Sequence, residues 1–328
     1  MMSLRAGLLG VGMMGRHHAR VLREVDGVDL VAIADPGGDP HNVAGDLPVL
    51  PDIDALIEAG IDIAVVAVPT QYHEDAALKL AAAGVHALVE KPIAHTVEAG
   101  QRMVDAFARA GLVGAVGHIE RFNPALQELR RRIEAGDAGE VFQIATRRQG
   151  PFPARIADVG VGKDLASHDI DLTAWVAQSD YVSISAQTTF RSGREHEDMI
   201  AATGRLENGV IANHLVNWLS PMKERITIVT GEKGAFVADT ATGDLTFYAN
   251  GTILLEWDSI SAFRGVSEGD VTRFAIAKRE PLRVEHEAFR DAVLGKRSDV
   301  VTMEQGLRTL VVVEAALESA RKAEPVAL

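Results

Sequence analysis

Leu8-Leu9-Gly10-Val11-Gly12-Met13-Met14-Gly15 ends a short apolar run in three glycines spaced GxGxxG and leads into a helical pattern. Glycines at these positions permit a tight turn, let the backbone approach a ligand closely, and let the following helix pack on its strand. The N–H groups around Val11, Met13 and Met14, at the start of a helix, make such a turn attractive to phosphate. Spacing alone leaves open an ordinary helix-capping turn. The next apolar run, VDLVAIAD, decides against that by placing Asp35 at its end. This is near the spacing of about 20 residues at which an acidic side chain accepts hydrogen bonds from a ribose. A carboxylate there would repel a 2′-phosphate, so the motif predicts NAD rather than NADP.

Outward from this motif the same rhythm continues. Leu4 to Leu9, Val28 to Ala34, Asp62 to Val68, Val85 to Val89 and Leu112 to Val116 read as strands. Ala19 to Glu24, Glu74 to Ala83 and Val97 to Arg109 read as helices. Near-continuous apolar strands alternating with helices predict a doubly wound parallel sheet covered on both faces, a Rossmann domain over residues 1–120.

Beyond residue 120 the pattern changes. Tyr181 to Phe190, Val210 to Leu219, Arg225 to Thr230 and Asp244 to Tyr248 follow one another with little helix, and the ENG and ANG triplets at 207–209 and 249–251 suit hairpin turns. Residues 121–328 are therefore expected to form an α+β domain with a large open, mainly antiparallel sheet. Helical patterns at Val284 to Leu294 and Met303 to Arg321 are free to pack back on the first domain. Pro124 suits either a helix start or a linker.

Composition narrows the function classes. The 328 residues carry 33 Lys+Arg against 46 Asp+Glu, a net charge of -13, which repels a phosphate backbone and argues against nucleic acid as a partner. There is no cysteine, hence no disulfide or thiolate site. Neither a signal peptide pattern nor an apolar run of about 18 residues is present. A cytoplasmic protein without membrane contact is expected.

Two further stretches fall where strands of the first sheet should end: Val68-Pro69-Thr70, followed by His73, and Glu90-Lys91-Pro92. Ligands of open α/β sheets bind outside the carboxyl ends of the strands, so both belong with the glycine loop at the cofactor site. In DLASHDID, helical spacings of four and three put Asp164, His168 and Asp171 on one face. A metal reading lacks a second nearby histidine. Helix capping by Asp164 and proton transfer by His168 both remain open and can coexist. His17 and His18 read as packing or surface groups, and residues 195–198 as a solvated strand entry.

Taken in order, GxGxxG, PTQYH, EKP, GHIERFNP and DLASHDID resemble the glucose-fructose oxidoreductase/inositol dehydrogenase/MocA family over essentially the whole chain. The stretches GHIERFNP, GPFPARIADVGVG, DLASHDIDL and NWLSPMKERITIVTGEKG look most like its nucleotide-sugar branch, the UDP-N-acetylglucosamine 3-dehydrogenases and related enzymes. The resemblance implies an NAD-dependent oxidoreductase acting on a secondary alcohol of a sugar or cyclitol, and an open sheet that supports a homodimer or homotetramer. It matches Lys91 to the lysine that contacts the reacting hydroxyl, and Asp164 and His168 to a DxxxH pair whose histidine moves the proton. Histidine, with an ordinary pKa of about 6.5, is a better base at working pH than lysine at about 10.4. His118, Arg121, Asn123, Lys163 and Trp218 are the candidates for substrate contact, with interdomain or sheet packing as their alternative; Lys223 and Arg225 join Trp218 in that role. Gly162-Lys163 stands where the UDP-sugar enzymes would carry bulky apolar residues, which keeps a free sugar, an inositol or another aminosugar open as substrate. A 3-keto product would suit a pyridoxal-phosphate aminotransferase. A sensor that binds dinucleotide without turnover is the reading from another class; the joint presence of Lys91, Asp164 and His168 argues against it.

Overall fold

The computed structural model describes residues 3–152, 159–251 and 267–328. Part of the GPFPARIADVGVG stretch lies outside them. The chain divides into two compact units, residues 1–119 with 280–311, and residues 120–279 with 312–328.

In the first unit, β1 (Leu4–Leu9), β2 (Val28–Ala34), β3 (Val49–Leu50), β4 (Ile63–Val66), β5 (His86–Glu90) and β6 (Gly114–Gly117) form one sheet in the order β3-β2-β1-β4-β5-β6, with every pairing parallel. The helices are α1 (Met13–Glu24), α2 (Ile53–Glu58), α3 (His73–Ala82) and α4 (Val97–Ala110). β4 is buried at all four residues, as a parallel strand covered on both faces should be. Two apolar cores result. One joins Leu80, Met103 and Phe107 to the β4 and β5 side chains Val66 and Val89, and the other joins Leu8, Val21, Leu22 and Ile33.

Residues 280–311, counted with the second domain on sequence but with their helices left free to pack back on the first, fall in this first unit. The reason is burial: Leu282 and Phe289 of α7 (Pro281–Val293) complete the second core, and Met303, Leu307 and Leu310 of α8 (Met303–Lys322) complete the first.

The second unit contains α5 (Pro124–Glu134), β7 (Val141–Pro151), α6 (Ser167–Ala177), β8 (Tyr181–Thr189), β9 (Met199–Leu206), β10 (Ile211–Asn217), β11 (Leu219–Gly231), β12 (Gly234–Asp239), β13 (Asp244–Gly251), β14 (Ser267–Arg273) and β15 (Val326–Ala327). Their order is β14-β13-β12-β11-β7-β10-β9-β8-β15, antiparallel except between β7 and β10. Pro124 starts a helix, with Asn123 as its cap. The ENG triplet does turn β9 into β10, whereas 249–251 lies inside β13, where Ala249 faces Gly234 of β12. The turn into β13 comes earlier, where Gly243 takes a φ of 71°. One face of the sheet is covered by Leu126 and Leu129 of α5, Ile170 and Val176 of α6, and Val313 and Ala316 of α8. Among the described residues no helix is long and apolar enough to cross a membrane.

Candidate active site

The cofactor cradle of the first unit follows from the glycine loop. Gly10 has a φ of 95°, and a Cβ there would stand 2.7 Å from the Ala67 carbonyl oxygen; one at Gly15 would stand 2.0 Å from the Gly10 oxygen. These two glycines serve the fold. Gly12 is different: a Cβ there would meet nothing within 4 Å. It caps α1 without a side-chain hydrogen bond, and the first turn carries no acid, so the helix start presents bare N–H groups to open space. Asp35, half-buried just past β2, accepts from the Val11 N–H at 2.9 Å and the Gly37 N–H at 2.8 Å.

Val68, Pro69 and Thr70 follow β4, Glu90 ends β5 and Lys91 follows it, so they share the rim of the sheet with the glycine loop. The side chains of two residues of this group are tied into the fold. His73 is buried between two carbonyl oxygens, with Nε2 2.9 Å from Val68 and Nδ1 3.0 Å from Pro92. It ties the two loops together, and burial lowers its pKa. Glu90 places its carboxylate 2.8 Å from His18 Nε2 and accepts the Lys91 backbone N–H at 3.0 Å. Lys91 is half-buried, and its peptide bond to Pro92 is cis. His118 is buried just past β6.

In the second unit, residues Gly162–Ala166 form a π turn that runs directly into α6. Glu197 holds its start: Gly162 N–H donates to Glu197 Oε1 at 2.9 Å, and a Cβ at Gly160 would stand 2.1 Å from that carboxylate. Glu197 and Asp198 are thus buried, not part of a solvated strand entry. Asp164 does not cap the helix. It lies inside the π turn, whose flanking residue is Val161, and its backbone N–H bonds to the Gly160 oxygen. Asp164 and His168 are 7% and 9% exposed, four residues apart across the junction of the π turn with α6.

The remaining carboxylates of DLASHDID anchor this helix. Asp169 accepts from Arg148 Nε at 2.8 Å, and Arg148 Nη1 donates to Glu120 at 2.9 Å. Asp171 takes a bidentate pair from Arg121, at 2.8 and 2.6 Å. Burial raises the Asp169 carboxyl despite Arg148; at Glu120 burial is outweighed by Arg148 and the pKa falls. Several residues expected to contact substrate are therefore occupied by the fold. Arg121 is buried against Asp171. Asn123 caps α5 and donates to the Thr240 carbonyl at 2.9 Å. Lys163 pairs with Glu314 at 2.5 Å. Trp218 is buried edge-on against Phe152. Arg225 donates to the carbonyls of Gln149 and Glu224, while Lys223 stays exposed.

Of the two alternatives the sequence left for His18, packing or surface, the structure takes packing. Its signal was the run Gly15, His18, Ala19 and Leu22, which marks the buried face of α1.

Residues 4–118 match the model of the oxidoreductase family with an NAD-binding Rossmann fold (Gfo/Idh/MocA), and residues 126–237 match the C-terminal domain model of the same family. The UDP-N-acetylglucosamine 3-dehydrogenase of Acidithiobacillus ferrooxidans is 31% identical over 302 residues, covering 90% of this chain and 91% of that one. The chain belongs to the Gfo/Idh/MocA oxidoreductase family. A solved structure of that 3-dehydrogenase superposes with a TM-score of 0.85 at 27% identity, over 98% of this chain and 99% of that one. The scyllo-inositol 2-dehydrogenase (NAD(+)) of Bacillus subtilis is 26% identical, over 99% of this chain and 96% of that one. As a Gfo/Idh/MocA protein the chain is an NAD-dependent oxidoreductase acting on CH–OH groups. Its residues suit that cofactor: the open space at Gly12 and the uncapped N–H groups of α1 fit a pyrophosphate, and Asp35 fits a ribose diol.

Proposed function

We propose that the protein oxidises a secondary ring hydroxyl to a ketone, at C3 of a nucleotide-linked amino sugar such as UDP-N-acetylglucosamine. Similarity to the 3-dehydrogenase along nine-tenths of the chain carries this reading. Gly10 to Gly15 and Asp35 hold the dinucleotide, which when bound accepts a hydride from the carbinol carbon. His168 takes the hydroxyl proton, and Lys91 stabilises the developing alkoxide as a cation. Asp164 stabilises the imidazolium that His168 becomes. Arg148 and Arg121, through Asp169 and Asp171, keep α6 in place so that His168 does not wander.

A second reading, oxidation of an inositol or free sugar, is favoured by the similarity to the inositol dehydrogenase. Incubation with NAD and a panel of UDP-sugars, free sugars and cyclitols, followed by NADH absorbance, separates the two. Reoxidation of retained NADH by 2-oxoglutarate covers the case in which the cofactor is recycled in place. UDP-N-acetylglucosamine is expected to give NADH and a product with its ketone at C3, a substrate for a pyridoxal-phosphate aminotransferase. Turnover of cyclitols alone would favour the second reading.

His168→Ala should lower kcat by about 10²- to 10⁴-fold while leaving NAD affinity unchanged. Equal losses in both would remove His168 from the chemistry. We also assign the uncovered face of the second sheet, with Leu215, Ile228, Tyr248 and Val271, to contact with further copies of the chain in a homodimer or homotetramer.

A further inference from the structure

Four titratable side chains cluster in the first unit behind Lys91, and the proposed reaction uses none of them directly. They are the buried His18 on α1, the buried Glu285 and His286 on α7, and the half-buried Glu90 at the end of β5. His18 stands at the centre: its Nε2 is 2.8 Å from Glu90 Oε1 and its Nδ1 is 2.8 Å from His286 Nε2. The other Glu90 oxygen takes the backbone N–H of Lys91 at 3.0 Å.

Physical chemistry orders the protons along this chain. Burial would raise the Glu90 carboxyl, but the hydrogen bond and electrostatic interaction with His18, and after them the positive charge of Lys91, outweigh it and hold Glu90 below the usual carboxylate range. An ionised carboxylate only accepts, so His18 Nε2 carries a proton. Burial, with His18 beside it, pushes His286 well below the ordinary imidazole value, so it is neutral. His18 Nδ1 and His286 Nε2 share one hydrogen bond, so the two imidazoles and Glu90 form a continuous chain. Glu285 has both oxygens buried and without a hydrogen-bond partner among the described residues; burial and the charge of Glu90 push its pKa well up. It is a neutral acid. The single negative charge of the cluster therefore sits on Glu90, directly beneath the backbone of Lys91.

We propose that His18 is a positioning residue for Lys91: its Nε2 proton keeps Glu90 charged and turned under the lysine's N–H, and so fixes both the place and the electrostatic surroundings of the ammonium. This rests on Lys91 being the cation at the reacting oxygen. His18→Leu removes the donor, whereas His18→Gln returns an N–H where Nε2 stood.

The test measures NAD-dependent turnover of UDP-N-acetylglucosamine, or of whichever sugar of the panel yields NADH, in His18→Leu, His18→Gln, Lys91→Met and the double variant H18L/K91M. His18→Leu should lose about 10- to 100-fold in kcat, since a misplaced reacting group costs on this order, with sugar KM and NAD affinity nearly unchanged. His18→Gln should recover most of the loss. In the Lys91→Met background, His18→Leu should cost nothing more, because the two act as one unit. Wild-type kcat in His18→Leu, an equal loss in His18→Gln, or the full His18→Leu factor reappearing in the double variant would overturn the proposal. Should His18→Leu fail to fold by circular dichroism, Glu90→Gln takes its place: it keeps the shape, removes the charge and is expected to lose kcat to the same degree, and undiminished turnover there overturns the proposal. ¹⁵N NMR of the imidazoles supplies a readout independent of turnover: His18 Nε2 is expected to be protonated, and an unprotonated Nε2 refutes the brace. If Lys91→Met stays active, the reading of Lys91 falls. If Lys91→Met is dead while His18→Leu is normal, only the role of His18 falls.

Discussion

A carboxylate that accepts two backbone N–H groups, as Asp35 does from Val11 and Gly37, still has lone pairs for a ribose diol. Its removal should therefore weaken the cofactor and loosen the glycine loop together. Asp35→Ala is expected to raise the Kd for NAD about 10- to 100-fold, the worth of hydrogen bonds to a charged group, and to narrow the gap between NAD and NADP. Calorimetric titration with both nucleotides checks this, and an unchanged NAD affinity would remove Asp35 from the site. At this scale the glycine turn was legible because its demand for room and for a positive φ is local, while Asp35, Lys91, Asp164 and His168 were singled out by short motifs and their roles are proposals. The contact of His18 with Glu90 was not legible, because they meet across 72 positions of sequence. Asp171 was placed on the face of His168 by spacing, but nothing in eight residues reveals that Arg121 waits for it fifty positions upstream.

α6 carries the proposed base, His168, while other polar residues of the helix are spent on the fold. Arg148 holds Asp169 and Glu120 at once, with the guanidinium and Asp169 both nearly inaccessible. Replacing it leaves two buried carboxylates without their cation. Arg148→Ala should cost about 3 to 5 kcal/mol in a urea titration and should lower kcat as α6 loosens. A stability within 1 kcal/mol of the parent (about the scale of an exposed pair) would contradict that role. The same arginine explains why β7 went unread: its buried positions run Ile144, Thr146, Arg148, and two polar residues on the core side break the apolar alternation that marks a strand. The ANG triplet misled in the opposite way. Its turn chemistry is real, but the pairing of β12 with β13 and of β13 with β14 overrides it.

For the whole molecule, buried neutral histidine makes stability depend on pH. His214 lies between Thr146 and the Tyr181 hydroxyl, at 2.8 Å from each, and burial lowers its pKa from 6.5 to about 4. Because its folded value is depressed, the unfolded chain binds the extra proton first. Its contribution is present above pH 6.5 and is lost as pH falls towards 4. That loss amounts to about 3 kcal/mol. Glu285 acts with the opposite sign, since a raised carboxyl loses stability as pH rises above its ordinary value of 4.5. Urea midpoints of the parent and His214→Gln between pH 7 and 4.5 isolate the histidine: the parent's advantage should shrink as pH falls, and a pH-independent difference would refute the assignment. Assembly is read at the same scale. Sedimentation should give a mass at least twice the chain's 35.1 kDa, and Ile228→Glu should reduce it to that value.

The two units are threaded through one another in sequence: the second begins after Ile119, the first resumes at Glu280, and α8 passes from one to the other between Val311 and Val312. Neither can be lifted out with a single cut. A fragment ending near residue 120 would lack the Phe289 and Leu307 that fill its interior and would aggregate, whatever the quality of its nucleotide motif. Chimeras between relatives of different sugar preference therefore need three junctions, and the last of them must splice helix to helix in register.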